Sequence, residues 1–294
     1  MGILSGISYV SGIDYYKGVC EQYAELVGRR ELMPPNPLLF LASVDCDAYA
    51  KMLTEQPVDF EGISEHLCTG VDGVARAGAA FLVIASNTGH IAVPLVRARF
   101  PDLPVLHIGD CTAAAIEAAG ASNVGLLGTE PTMREEYLKQ QLGKHGIATL
   151  VPEAEQDLAQ IFQYIMDELG FNVFKESTRA FFVAQIRALA ARGAQGVILG
   201  CTEIELLVKQ SDVPEVPLYC SAELHIEAAA RVQAGLTTVA EYMPREDVAA
   251  GCATKLRGAH GEVSLSLEQQ QLAQQRAGAG GGGGGSSSAG AARL

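Results

Sequence analysis

Short apolar runs alternate with longer amphipathic stretches along the first 235 residues of the chain. Apolar, largely β-branched segments fall at residues 2–6, 38–43, 81–85, 105–108, 124–128, 197–200 and 216–219. Between them, apolar positions recur every three or four residues over helix-length distances. Strands alternating with helices of about 10 to 20 residues predict βαβ units around a mostly parallel sheet, so the chain reads as an α/β protein.

The pattern also repeats. Residues 78–88 align without gaps on residues 193–203, Gly2-Ile3-Leu4 resembles Gly125-Leu126-Leu127, and Ile116-Glu117-Ala118-Ala119 recurs as Ile226-Glu227-Ala228-Ala229. Two halves of similar size follow, each expected to be a small, doubly wound parallel-sheet domain, the pair pseudosymmetric about a shared cleft. Residues 1–112 with 222–240 are expected to form the first domain and 113–221 the second. Residues 241–294 form a C-terminal extension rich in Gln, Gly and Ser that cannot bury enough apolar surface to offset its ordering entropy, with a short amphipathic helix expected at 258–275. Each half supplies a strand ending in a polar tripeptide, Ser86-Asn87-Thr88 in one and Cys201-Thr202-Glu203 in the other. Ligands of open parallel sheets bind beyond the carboxyl ends of the strands, which places Ser86 and Cys201 on one cleft.

Composition narrows the possible partners. Hydrophobic residues make up 48% of the 294 residues and charged residues 19%, a balance suited to a globular fold. No apolar run approaches the ~18 to 20 residues of a membrane span, and the N-terminus lacks the features of a secretory signal. Thirty-four Asp and Glu against 21 Lys and Arg give a net charge of −13 with no basic cluster, so nucleic acid and anionic membranes are poor partners. The seven cysteines are scattered and form no CxxC pair, which argues against a disulfide framework or a zinc site and for a reduced, cytoplasmic setting.

A cleft between related halves allows one acid/base group on each side of a bound carbon. A thiol at a strand-to-helix turn serves as base or acid near neutral pH when its environment tunes it. Taken alone, Cys201 would be read as a packed small hydrophobe, as Cys20, Cys46, Cys68, Cys111 and Cys220 are here. Its counterpart in the repeat argues for chemistry instead. Asn87, Thr88 and Thr202 at the same turns offer hydrogen bonds to a carboxylate. His90 and His107 lie near strand ends without a defined role, and the glycine-rich opening contains no GxGxxG, which argues against a nicotinamide cofactor.

At these residues the sequence resembles the aspartate/glutamate racemase superfamily of cofactor-independent enzymes, over about residues 1–235. The resemblance rests on Gly200-Cys201-Thr202-Glu203-Ile204 and on Ser86-Asn87-Thr88 in the place of a Cys-Asn-Thr. The opening Gly2-Ile3-Leu4-Ser5-Gly6-Ile7-Ser8, Ser43-Val44-Asp45 and His107-Ile108-Gly109-Asp110 support it. So do Gly125-Leu126-Leu127-Gly128-Thr129 with Thr132-Met133, Phe174-Lys175-Glu176 with Arg179, and His225. It implies an amino-acid racemase that uses neither pyridoxal phosphate nor metal. Cys201 would remove the α-proton of an L-amino acid, with His225 close enough to tune it and Ser86 on the opposite face. Asn87, Thr88 and Thr202 would hold the α-carboxylate, with Ser8, Thr129, Thr132 and Glu203 lining the same pocket and Lys175 meeting the distal carboxylate of an acidic substrate. A homodimer is a further expectation from the family.

Two departures qualify the resemblance. Ser86 replaces a thiol, and an unactivated hydroxyl is a far poorer acid or base, so catalysis should be lopsided and favour the L-to-D direction kinetically. The segment Asp45-Cys46-Asp47, where aspartate racemases commonly place an arginine, has none, which leaves aspartate, glutamate and a broader range of amino acids open. A single thiol also suits a decarboxylase or isomerase of the same superfamily, and a non-catalytic carboxylate-binding protein would keep the cleft without the chemistry.

Overall fold

The computed structural model describes residues 1–28, 32–249 and 251. The expected helix at 258–275, the Gly/Ser-rich tail and Cys252 lie outside these residues.

Two four-stranded, all-parallel sheets carry the fold. The first contains β1 (Gly2–Ser5), β2 (Phe40–Ser43), β3 (Leu82–Ile84) and β4 (Val105–Leu106) in the order β2-β1-β3-β4. The second contains β5 (Asn123–Gly128), β6 (Ala148–Leu150), β7 (Val197–Gly200) and β8 (Leu218–Cys220) in the order β6-β5-β7-β8. The orders are the same, with β1 matching β5 and β3 matching β7, as the internal repeat requires. Seven of the eight strands overlap the apolar runs of the sequence. The eighth, β6, is a three-residue edge strand, Ala148-Thr149-Leu150, with no apolar run to mark it.

Helices cover both faces of each sheet, which explains why the strands are apolar on both sides. In the first sheet Leu4, Leu82 and Ile84 pack with Ile63, Leu67 and Val71 on one face. Ile3 and Val83 pack with Tyr15, Val19 and Ile226 on the other. The helix Phe60–Arg76 shows the local logic: Asp59 caps it by accepting from the Gly62 N–H, and Ile63, Leu67, Val71 and Val74 recur on one stripe that faces the sheet. In the second sheet Leu199 and Val197 pack with Ile161, Phe182 and Ile186, and Leu126 and Ile198 with Ile108, Ile116 and Leu142.

The helices that follow the last strand of each sheet cross over. Helix Ser221–Gln233, after β8, brings Ala222, Ile226 and Ala229 into the core of the first sheet. Helix Ile108–Ala118, after β4, brings Ile108, Ala113 and Ile116 into the core of the second. The boundary expected after residue 112 therefore falls inside a helix that spans both halves. The extension expected from residue 241 also begins inside packed structure. Met243 is buried in the first core, and Asp247 accepts hydrogen bonds from Lys144 (2.7 Å) and Arg97 (3.3 Å). The carboxyl ends of β1, β3, β5 and β7 are thereby held at one junction between the halves.

Two glycines make the turns at this junction possible. Gly6 follows β1 with φ +91°, and a side chain there would collide with the Val44 carbonyl. At Gly200 a Cβ would sit 2.9 Å from the Leu127 carbonyl, so the Cys201 turn can lie close against β5 only because the preceding residue has no side chain.

Candidate active site

A cavity of about 510 Å³ opens between the two halves at the strand ends. Ser8, Ser86, Asn87, Thr88, Thr129, Cys201, Thr202 and Glu203 all line it. Each is placed by a turn from strand to helix. Ser8 precedes helix Tyr9–Val27 after β1, and Ser86 leads from β3 into the 3₁₀ turn Thr88–Ala92. Thr129 caps helix Glu130–Arg134 after β5, and Cys201 starts helix Thr202–Leu207 after β7. The two tripeptides singled out in the sequence thus face one space.

The Cys201 Sγ donates to Glu203 Oε2 at 3.0 Å. The same oxygen accepts from the Thr202 hydroxyl at 2.6 Å, and Ser11 approaches both Thr202 Oγ1 (2.7 Å) and Glu203 Oε1 (3.3 Å). Burial, followed by the charge of Glu203, pushes the Cys201 thiol well above its ordinary range. The sulfur therefore rests protonated, its hydrogen directed at the Glu203 carboxylate. Ser86 is differently equipped. Its Oγ accepts the Gly89 N–H at 3.1 Å, and among the described residues no acid or base bonds the hydroxyl.

Four hydroxyls join the halves beside these groups. Thr88 Oγ1 lies 2.8 Å from Thr129 Oγ1 and 3.2 Å from Thr132 Oγ1, and Thr132 in turn meets Thr129 (2.9 Å) and the Tyr137 hydroxyl (2.9 Å). Hydroxyls donate or accept as required, so Thr88 and Thr129 can turn their hydrogens to an anion while Thr132 and Tyr137 support them from behind. Asn87 is fixed by its amide, which donates to Ser221 Oγ at 2.9 Å. The Ser221 hydroxyl passes on to the Leu199 carbonyl (2.8 Å) and to Glu205 Oε1 (3.1 Å), a buried carboxyl whose pKa burial raises to about 8.

Three residues expected at the site do not line the cavity. Thr132 is fully buried behind Thr88 and Thr129. Lys175 turns outward to Glu168 at 2.9 Å, because that carboxylate, also bonded by Thr178 (2.6 Å), offers it a partner at the surface. His225 makes no bond to Cys201. Its Nδ1 accepts from the Tyr15 hydroxyl (2.9 Å) and its Nε2 donates to the Leu106 carbonyl (2.8 Å). It belongs to a buried histidine group, its ring centroid 5.8 Å from that of His90, which in turn lies 4.4 Å from His107. Burial lowers His90 to about 3 and His225 to about 4, and drives His107 down as well. All three are neutral. His90 Nδ1 bonds the Ser86 carbonyl at 2.7 Å while its Nε2 accepts the Ile108 N–H, so the group holds the Ser86 turn in place rather than exchanging protons with substrate.

The sequence reading missed Ser11, three residues after Ser8 on the same helix face, and the wall of the cavity. That wall comes from helix Cys46–Thr54, through Tyr49, Ala50 and Leu53, and from helix Glu155–Asp167 and the turn after it, through Ile165, Met166 and Phe171.

The arrangement is that of a two-half α/β protein with acid/base groups facing one cavity at the junction of its sheets. Comparison with known proteins makes the class specific: residues 4–229 match the model of the Asp/Glu/hydantoin racemase family, and the chain belongs to that family. A crystal structure from Yersinia pestis, described as a candidate Asp/Glu racemase, is 32% identical with a TM-score of 0.69, over 79% of this chain and 97% of that one. An aspartate racemase homologue from Pyrococcus horikoshii OT3 is 29% identical with a TM-score of 0.64 over the same shares. The glutamate racemase of Ectopseudomonas mendocina (strain ymp) is 27% identical over 179 residues, 60% of this chain; the match spans 64% of that relative's length. No helix among the described residues is long and apolar enough to cross a membrane.

Proposed function

We propose that the protein is a cofactor-independent amino-acid racemase in which Cys201 removes the α-proton of an L-amino acid. The observation that carries this reading is the Cys201–Glu203 pair, a buried thiol that donates its hydrogen to a carboxylate at 3.0 Å, inside a cavity lined by both halves. As the substrate enters, the sulfur passes its proton to Glu203 and takes the α-proton in its place. Thr88, Thr129 and Thr202 hold the α-carboxylate through hydroxyl donors, and its developing enediolate charge strengthens those bonds in the transition state.

The Ser86 hydroxyl or a water beside it gives a proton to the opposite face and regains one from solvent, while Glu203 releases to solvent the proton it took from sulfur, so each turnover restores the thiol, the carboxylate and the hydroxyl. A hydroxyl with no base beside it accepts a proton poorly, so at saturation the D-isomer turns over more slowly than the L-isomer, whose reaction starts on the sulfur. Because the two enantiomers have equal free energy, kcat/KM is the same in both directions, and the difference between them lies in kcat, matched by one in KM. Chiral chromatography of the full chain incubated with single amino acids, with no pyridoxal phosphate added, tests this. D-isomer should form, Cys201→Ala should stop it, and Ser86→Cys should raise kcat in the D-to-L direction at least tenfold. Absence of D-isomer with every common L-amino acid refutes the reading.

A further inference from the structure

We infer that the cavity selects amino acids with uncharged, apolar side chains; this deepens the racemase reading and rests on its placement of the reacting carbon beside Cys201. Most polar groups of the cavity stand at the strand ends, where Thr88, Thr129, Cys201 and Thr202 sit, and helix Cys46–Thr54 adds Cys46 and Asp47 at its first turn. The rest of the lining is largely apolar: Ile7 in the turn after β1, the Tyr49 ring and Leu53 on helix Cys46–Thr54, and Ile165, Met166 and Phe171 on helix Glu155–Asp167 and the turn after it. A bound amino acid whose α-carboxylate lies among the hydroxyls has this wall left for its side chain. An apolar side chain gains by leaving water there, whereas a carboxylate would lose its hydration with no opposite charge in return.

The charges on the lining point the same way. Among the described lining residues only Asp47 and Glu203 are ionisable acids or bases besides cysteine and tyrosine, and both are acids. A second substrate carboxylate would meet like charge at either. Among the described residues no Lys, Arg or His lines the cavity; Lys51 pairs with Asp47, Lys175 with Glu168, and Lys209 with the Glu205 carbonyl. The volume, about 510 Å³, lies well inside the range of small-molecule sites and leaves room for an aliphatic or aromatic group beyond the α-carbon.

Titration calorimetry on full-length Cys201→Ala protein, which binds without turnover, separates side-chain selection from chemistry. L-methionine and L-phenylalanine should bind at least tenfold more tightly than L-aspartate and L-glutamate. Met166→Arg, or Ala50→Arg on the half-buried neighbouring wall, should reduce that ratio at least tenfold by supplying a cation; with both variants folded, an unchanged ratio overturns the inference. Acidic amino acids binding as tightly as apolar ones, or none of the four binding, also overturns it. Proton exchange by the unaltered enzyme tells its failure from that of the racemase reading. Apolar ligands that bind but never exchange refute the chemistry and leave the selectivity standing, whereas exchange fastest on L-aspartate or L-glutamate does the reverse.

Discussion

Replacing His225 by Gln removes one proton-binding group from the buried histidine group while leaving an amide that can face Tyr15 and Leu106. In the folded chain burial holds His225 at about 4, against about 6.5 in the unfolded chain. The unfolded state therefore binds the proton first. His225 contributes its full share of stability above the unfolded value, and that share is lost as the pH falls towards 4. Integrated from near pH 7 to near pH 5, the loss is about 2 kcal/mol for this residue alone. His90, held at about 3, and His107 behave in the same direction, whereas Glu205, raised to about 8, opposes them by losing stability as the pH rises. Glu205 is common to both proteins, and burial, the leading cause of the His90 and His107 shifts, survives the substitution, so these contributions largely cancel in the difference. Near neutrality His225→Gln should cost about 1–3 kcal/mol for disturbed buried hydrogen bonds. Urea unfolding followed by circular dichroism should show this deficit shrinking by about 2 kcal/mol near pH 5. A deficit that stays constant or grows between the two conditions would mean that folded His225 takes up a proton as readily as the unfolded chain, against its enclosure between Tyr15 and Leu106.

Further outcomes follow from the site. Glu203→Gln should lower racemisation by about 10²–10⁴-fold, since the thiol loses its proton acceptor. In the same variant, alkylation of Cys201 by iodoacetamide near neutral pH should become faster, because the charge that keeps the proton on sulfur is gone; unchanged racemisation would place the acceptor elsewhere. Thr88→Val should raise KM about tenfold or more through loss of a hydroxyl to the substrate carboxylate, with the Thr129–Thr132–Tyr137 hydroxyls still joined. A KM within twofold of the parent would remove Thr88 from the carboxylate site.

The parts of the site that were legible in the sequence are those the fold duplicates. Ser86-Asn87-Thr88 and Cys201-Thr202-Glu203 occupy equivalent turns after β3 and β7, and the repeat made their common position visible before any coordinate was known. Residues whose role depends on a partner distant in sequence were not legible. An inward-facing histidine on a helix carries no mark that tells a neighbour of Cys201 from a neighbour of Tyr15 and Leu106. Lys175 could not be seen to spend its charge on Glu168. The wall of the cavity was hidden for another reason: Leu53 and Ile165 follow the same amphipathic spacing as residues of the closed core, and periodicity does not say whether a buried stripe meets another helix or an open space. The edge strand β6 escaped notice because its residues are partly exposed and too few to alternate.

The central claim is that Cys201 moves the α-proton. Proton NMR of the full chain with L-methionine in D₂O measures this directly as loss of the α-hydrogen signal. The account predicts exchange by the parent protein and none above background by Cys201→Ala, with both folded by circular dichroism. Exchange that persists in Cys201→Ala would contradict it.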